Sequence, residues 1–251
     1  MTILADLHNH SCLSPCASLE MSPSLLARMA RERGLGLVAL TDHNSALNCP
    51  AFEVACRREG IAPLFGMEAC SAEEVHVLCL FGDVAGALGF GLRLRGLLMA
   101  TPHDPKSFGD QIVVDADEVV QGSSYDHLGA ALDIGFDELC AEASALGAVV
   151  IPAHVDRPFF SVSSQLGFLP PGPYDAVESM REPPLALAGP HAAISGSDAH
   201  DPEQVGRRPF SVELPDGVLA ERGRTLLEAL RRSLRGGLVQ ASWVSSRKRA
   251  R

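Results

Sequence analysis

The chain has 251 residues, with 21 Lys and Arg against 31 Asp and Glu for a formal net charge of −10, and it is 46% hydrophobic but only 5% aromatic. That is ample apolar material for a domain-sized core, and it excludes general disorder. The acidic balance argues against a surface built to neutralise a nucleic-acid backbone, so an anionic substrate would need local positive charge such as bound metal.

Thr2 to Leu7 reads as a strand. Ser22-Pro23 has the form of a helix N-cap with proline at the first helical position; Leu25, Leu26, Met29 and Ala30 supply an apolar stripe, and Gly34 ends the helix. Leu35 to Leu40 follows as a strand, Ala51 to Arg58 as a helix closed by Gly60, and Ile61 to Phe65 as a third strand. Glu74 to Cys79 alternates as a strand, with Val75, Val77 and Cys79 on one face and His76 on the other. Val84 to Ala100 is strongly apolar, but Arg93 and Arg95 break it short of the roughly 18 residues a membrane span needs. Later elements are a helix at Phe136 to Leu146 ended by Gly147, strands at Ala148 to Pro152, Tyr174 to Glu178 and Ala192 to Ser195, and a helix at Thr225 to Leu234.

This alternation predicts a parallel α/β architecture, and about seven or eight units in such a chain favour a closed barrel over an open sheet. One domain, 1–251, is expected, with loops at 101–128 and 157–173 long enough to be active-site lids and a flexible tail at 246–251. The N-terminus lacks a basic region and long apolar run, and seven cysteines without framework spacing read as reduced thiols, so the expected location is cytoplasmic.

The strongest chemical signal is Asp6-Leu7-His8-Asn9-His10. On an extended strand end, positions two apart share a face, so His8 and His10 can present imidazoles to one metal while Asp6 orients a ring from behind. Alone, such a pair is weak. Its weight comes from company: Thr41-Asp42-His43, Gly66-Met67-Glu68, Pro152-Ala153-His154 and Ser197-Asp198-Ala199-His200 each fall just past an expected strand. In a barrel these ends converge on one mouth, and buried carboxylates there are explained by metal coordination rather than core packing. His76 reads equally well as a surface histidine, and Cys16 as a small packing residue near the same mouth. His103, His127 and His191 lack strand-end context and are expected on loops or the surface. There is no G-x-S-x-G elbow, phosphate-binding P-loop or G-x-G-x-x-G opening a helix, which removes the serine-hydrolase, P-loop and dinucleotide readings.

Taken in order, Asp6-Leu7-His8-Asn9-His10, Leu40-Thr41-Asp42-His43-Asn44, Gly66-Met67-Glu68, Val75-His76-Val77-Leu78, Ala153-His154 and Gly196-Ser197-Asp198-Ala199-His200 resemble the polymerase and histidinol phosphatase (PHP) superfamily. The resemblance implies an α/β fold, a distorted (β/α)7 TIM-like barrel, holding two to three divalent ions (Mn, Zn or Fe) and hydrolysing phosphate esters with a metal-activated hydroxide. Carried over by position, His8, His10, Glu68 and Asp198 would hold one metal; Glu68 would bridge to a second, shared with His76 and His154; His43 and His200 would hold a third with residue 16. There the sequence departs from the commoner His or Asp, and the thiol of Cys16 suits zinc or iron better than manganese.

Arg157, His200 and Asp198 are the residues expected nearest the chemistry. Arg157 would fork onto phosphate oxygens or form a surface salt bridge, and His200 or His43 would deliver a proton only if the third metal is absent. Asp42 and Asp6 are expected behind the ligands. Expected partners are a small phosphorylated metabolite or nucleotide, or a short single-stranded oligonucleotide, with histidinol phosphate and nucleoside bisphosphates among the alternatives. From another class, a catalytically silent, metal-stabilised module would show gaps in the ligand set.

Overall fold

A computed structural model describes residues 1–99 and 101–243; the tail expected at 246–251 lies outside the described residues. Strand β1 (Thr2–Asp6) leads through a turn into α1 (Pro23–Glu32), whose N-cap forms as expected, with Ser22 Oγ accepting the Leu25 N–H at 3.0 Å. Then come β2 (Leu37–Leu40), α2 (Cys49–Glu59), β3 (Ala62–Cys70), β4 (His76–Phe81) and α3 (Val84–Arg95). Gly60, at φ 72°, closes α2 in the left-handed conformation that glycine adopts without penalty. The apolar stretch after Gly82 that fell short of a membrane span is thus an ordinary surface helix. Among the described residues no helix is long and apolar enough to cross a membrane.

The segment 101–128 carries structure of its own: a short α4 (Pro105–Phe108) and a hairpin of β5 (Ile112–Val114) and β6 (Val120–Ser123). Two buried asparagines fasten this region to the body. Asn48 Nδ2 donates to the Ile112 carbonyl while its Oδ1 accepts from Val114 N–H, and Asn44 Nδ2 donates to the Leu128 and Ala130 carbonyls, both at 2.8 Å. The chain continues through α5 (Phe136–Ala145), β7 (Val149–Pro152), α6 (Val162–Gln165), β8 (Val177–Glu178), α7 (Leu185–Ala188), β9 (Ala193–Ile194), β10 (Phe210–Glu213), α8 (Val218–Glu221), α9 (Gly223–Arg235) and β11 (Val239–Gln240).

The main sheet has the order β11-β10-β1-β2-β3-β4-β7. It is mixed where an all-parallel sheet was expected: β1, β2 and β3 run parallel, but β4 is antiparallel to both β3 and β7, and β10 is antiparallel to β1. The reason is the short link 71–75 between β3 and β4, because a parallel return needs a crossover of about a dozen residues or more. The parallel pair β8–β9 fills the remaining arc of the curled sheet. On one flank the Asp175 N–H donates to the Val150 carbonyl at 2.9 Å, and on the other the His10 N–H donates to the Ala199 carbonyl at 2.9 Å. The result is the distorted, TIM-like α/β barrel of a single domain.

Alternate residues of the strands serve two cores. Val38 and Leu40 pack toward α1, α2 and α3, whereas Leu37 and Ala39 join Leu226, Leu230 and Leu234 of α9. Both faces of β4 are therefore covered, and His76 is buried instead of lying at the surface.

Candidate metal centre

The two-residue spacing at the end of β1 brings His8 Nε2 and His10 Nε2 to 3.2 Å from each other. Opposite them stands Glu68 of β3, and it is the hub of the site. Its Oε1 lies 3.2 Å from His8 Nε2, 2.7 Å from His76 Nδ1 and 3.0 Å from His154 Nε2; its Oε2 lies 3.4 Å from His10 Nε2 and 3.1 Å from His43 Nδ1. The imidazoles form a closed ring around this carboxylate, with centroid separations of 5.2 Å (His8–His10), 4.7 Å (His10–His43), 5.2 Å (His43–His76), 5.4 Å (His76–His154) and 5.7 Å (His154–His8). His200 stacks outside the ring on His10 at 4.3 Å, and Asp198 Oδ1 lies 3.4 Å from His8 Nε2 and 3.3 Å from His10 Nε2.

All five rings and Glu68 are buried, and their charges are mutually determined. Burial disfavours the Glu68 carboxylate, yet His76, His8 and His43 outweigh it and hold the acid well below its usual range. Burial likewise opposes protonation of His10, but Asp198 and Glu68 prevail and its pKa is pushed up to about 9. His43 goes the other way, lowered by burial and by the neighbouring His10, His76 and His200; burial and His10 bring His200 down to about 4. Ionised carboxylates and neutral imidazoles are the forms that ligate metals.

Among the described residues, three sets have ligand atoms within 4.8 Å of one another: His8, His10, Glu68 and Asp198; His43, Glu68 and His76; His10, His43 and His200. Bonds of about 2.0–2.2 Å to a tetrahedral ion place donors roughly 3.3–3.6 Å apart. The contacts within the first set, 3.2–3.4 Å, lie close to that spacing. His43 Nδ1 is buried 3.1 Å from Glu68 Oε2 without forming a hydrogen bond to it, which leaves the nitrogen lone pair open to a cation held between them. The donor set fits divalent metal.

The nine expected ligands gather around Glu68 and Asp198, with differences in grouping. His43, expected at a third site with His200, lies in a set with His10 and His200 and also in one with Glu68 and His76. Cys16 is exposed, with Sγ 3.0 Å from His200 Nε2, and is not within the compact set formed by His10, His43 and His200. Arg157 reaches Asp198 (Nη1 to Oδ2, 2.8 Å), so its ion pair is made beside the ligands rather than at the surface. His103 and His127 stack on each other on the 101–128 segment, outside the ring.

Supporting residues depart further from the sequence reading. Asp6 touches no imidazole: it accepts the Ser197 N–H at 3.1 Å and the Gly206 N–H at 3.0 Å, tying β1 to the Asp198 loop. The ring of His8 is held instead by Glu178, whose Oε2 lies 2.7 Å from His8 Nδ1. Glu178 ends an expected strand, so the same strand-end rule that marked the ligands would have found it. Gly196 makes room for this pair, since a Cβ there would lie 2.6 Å from Glu178 Oε1 and 3.1 Å from His8 Cβ. Asp42 acts at one remove: it accepts from Ser14 Oγ, which lies 2.9 Å from His10 Nδ1 and accepts the His43 N–H. His154 and Asp198 have φ of 29° and 47°, left-handed conformations costing about 1–3 kcal/mol each in non-glycine residues.

Carboxylates behind metal-binding histidines typically change affinity or activity by roughly 10- to 100-fold. Glu178→Gln should weaken metal binding by about that factor in calorimetric titration with little change in Tm; unchanged affinity would make the contact with His8 purely structural.

Among solved structures, Pyrococcus furiosus endonuclease Q superposes with a TM-score of 0.66 at 19% identity, covering 96% of this chain and 58% of that one. Endonuclease Q in complex with a 27-mer duplex bearing an abasic lesion gives 0.65 at 20% identity, with 94% and 57% covered. A two-domain Bacteroides vulgatus protein containing a predicted PHP-like metal-dependent phosphoesterase gives 0.53 at 16% identity, with 97% and 65% covered. The chain thus spans less than two thirds of the length of each, and the likeness is one of fold. A search of curated protein sequences finds no match. The PHP domain profile matches residues 6–156, more than half of the sequence and most of the ligand cluster, and the chain belongs to the PHP domain family.

Proposed function

We propose that this protein is a metal-dependent phosphoric ester hydrolase whose reaction takes place at the Glu68 cluster. The observation that carries this reading is one carboxylate contacted by five buried imidazoles, with Asp198 closing the set. His8, His10, Glu68 and Asp198 would hold one ion, Glu68 with His76, His154 and His43 a second, and His200 with Cys16 the edge of a third. Two to three divalent ions (Mn, Zn or Fe) would supply Lewis acidity at the phosphoryl oxygens and lower the pKa of water toward neutrality.

The chain's own residues do the rest. Glu178 and Ser14 fix the rings of His8 and His10. Arg157 carries its guanidinium to the mouth on Asp198, where its remaining N–H groups can fork onto non-bridging phosphate oxygens. The net charge of −10 favours a small phosphorylated metabolite, a nucleotide or a short single strand over a long duplex such as the one bound by endonuclease Q. Seven unpaired cysteines support a reducing, cytoplasmic setting.

Protein loaded with manganese, zinc or iron should turn over an aryl phosphate, and Arg157→Ala should raise KM by about tenfold with a smaller change in kcat. Absence of turnover with every metal would refute the hydrolase reading; a change confined to Tm would reduce Arg157 to a structural ion pair.

A further inference from the structure

The sequence contains ten Phe, two Tyr and one Trp. The five that are exposed, Phe108, Tyr125, Phe159, Phe160 and Phe168, all fall in 101–128 and 157–173. Exposed rings forgo burial free energy, so their confinement to two segments of an aromatic-poor chain needs a reason. The second segment lies directly on the metal centre. Phe160 stacks on the His76 ring at 4.9 Å with 20° between planes, and its carbonyl accepts the His76 N–H at 3.3 Å. Its φ of 53° is unfavourable for a bulky residue, and the turn is held by Ser161 Oγ donating to the Arg157 carbonyl at 2.6 Å. One face of Phe160 is thus committed to His76 while the residue remains 39% exposed, and Phe159 beside it is 69% exposed. The same turn supplies Arg157 to Asp198.

We propose that Phe159 and Phe160 form the stacking wall of a substrate subsite for a nucleobase, which layers on the outer face of Phe160 while its phosphate lies between Arg157 and the Glu68 cluster. The position of the phosphate rests on the phosphoesterase reading; the stacking wall does not. Stacking suits this surface because every base presents a π face and needs no dedicated hydrogen-bond partners, and loss of an aromatic platform weakens binding by roughly 5- to 100-fold. On the first segment, Phe108 packs on His127 at 4.2 Å. Gly109 of that segment and Gly129 just after it approach Pro15, next to Cys16, so a second aromatic surface lies toward the Cys16 side of the cluster.

The test titrates a 2-aminopurine nucleoside phosphonate, which resists hydrolysis and loses fluorescence on stacking, into the metal-loaded full chain, with propylphosphonate as the aliphatic counterpart in calorimetry. The wild type should quench the fluorophore and prefer the aromatic ligand. Phe159→Ala and Phe160→Leu, checked for unchanged metal content, should reduce that preference by roughly 5- to 100-fold. Absence of quenching, an unchanged preference, or equal weakening of both ligands would overturn the proposal. A protein that quenches the fluorophore but hydrolyses no phosphate ester would sink the hydrolase reading and leave the subsite standing, whereas hydrolysis without aromatic preference would do the reverse.

Discussion

Chelator treatment is expected to abolish phosphate ester hydrolysis, by more than about 10³-fold, because without metal nothing at the mouth brings the pKa of water from near 15.7 toward 7. Manganese or zinc should restore the rate. The same treatment should lower Tm, since a ligand that binds only the folded state at about a hundred times its Kd contributes about 2.7 kcal/mol. For a domain of this size each kcal/mol corresponds to roughly 2–4 °C, so the fall should be roughly 5–10 °C by calorimetry. Undiminished turnover after stripping, with elemental analysis proving the metal gone, would refute metal-dependent hydrolysis. A Tm that does not move would show that the imidazole ring is held by the fold alone.

Glu68→Gln should have the second-largest effect. The amide is nearly isosteric, so the cavity keeps its shape while five imidazoles lose their shared anion. Bound metal should fall by at least one ion per chain and kcat/KM by more than about 10²-fold. The metal-free proteins should also differ in acid. The carboxyl of Glu68 is held below its ordinary value of 4.5, so its contribution to stability is present above that pH and is lost as pH falls toward the folded-state value. Metal-free wild type should therefore lose stability below about pH 4.5 more steeply than the variant. A full metal complement with wild-type turnover in Glu68→Gln would leave Glu68 as no more than a counter-ion.

Glu178 and Phe160 show where reading the sequence stops. Both sit in segments marked by the sequence, one at the end of an expected strand and the other in an expected loop, but neither spacing nor composition says which ring each will face. Contacts across 170 residues, as between His8 and Glu178, depend on how the strands close. The His76 ambiguity has the same origin: alternation in 74–79 is compatible with one solvated face until α3, α5 and the barrel interior are seen to cover both. His154 and Asp198 occupy left-handed backbone that no residue type there announces.

Local chemistry in the sequence determined the helix caps, the succession of strands, and a set of histidines and acids each placed at a strand end, because those features depend on neighbours a few residues apart. Only the tertiary structure decided that Glu178 replaces Asp6 behind His8 and that Arg157 points inward to Asp198. Each of these is a distance between side chains far apart in the chain, set by the curl of the sheet and the closure of β8–β9 against β7 and the segment after β1.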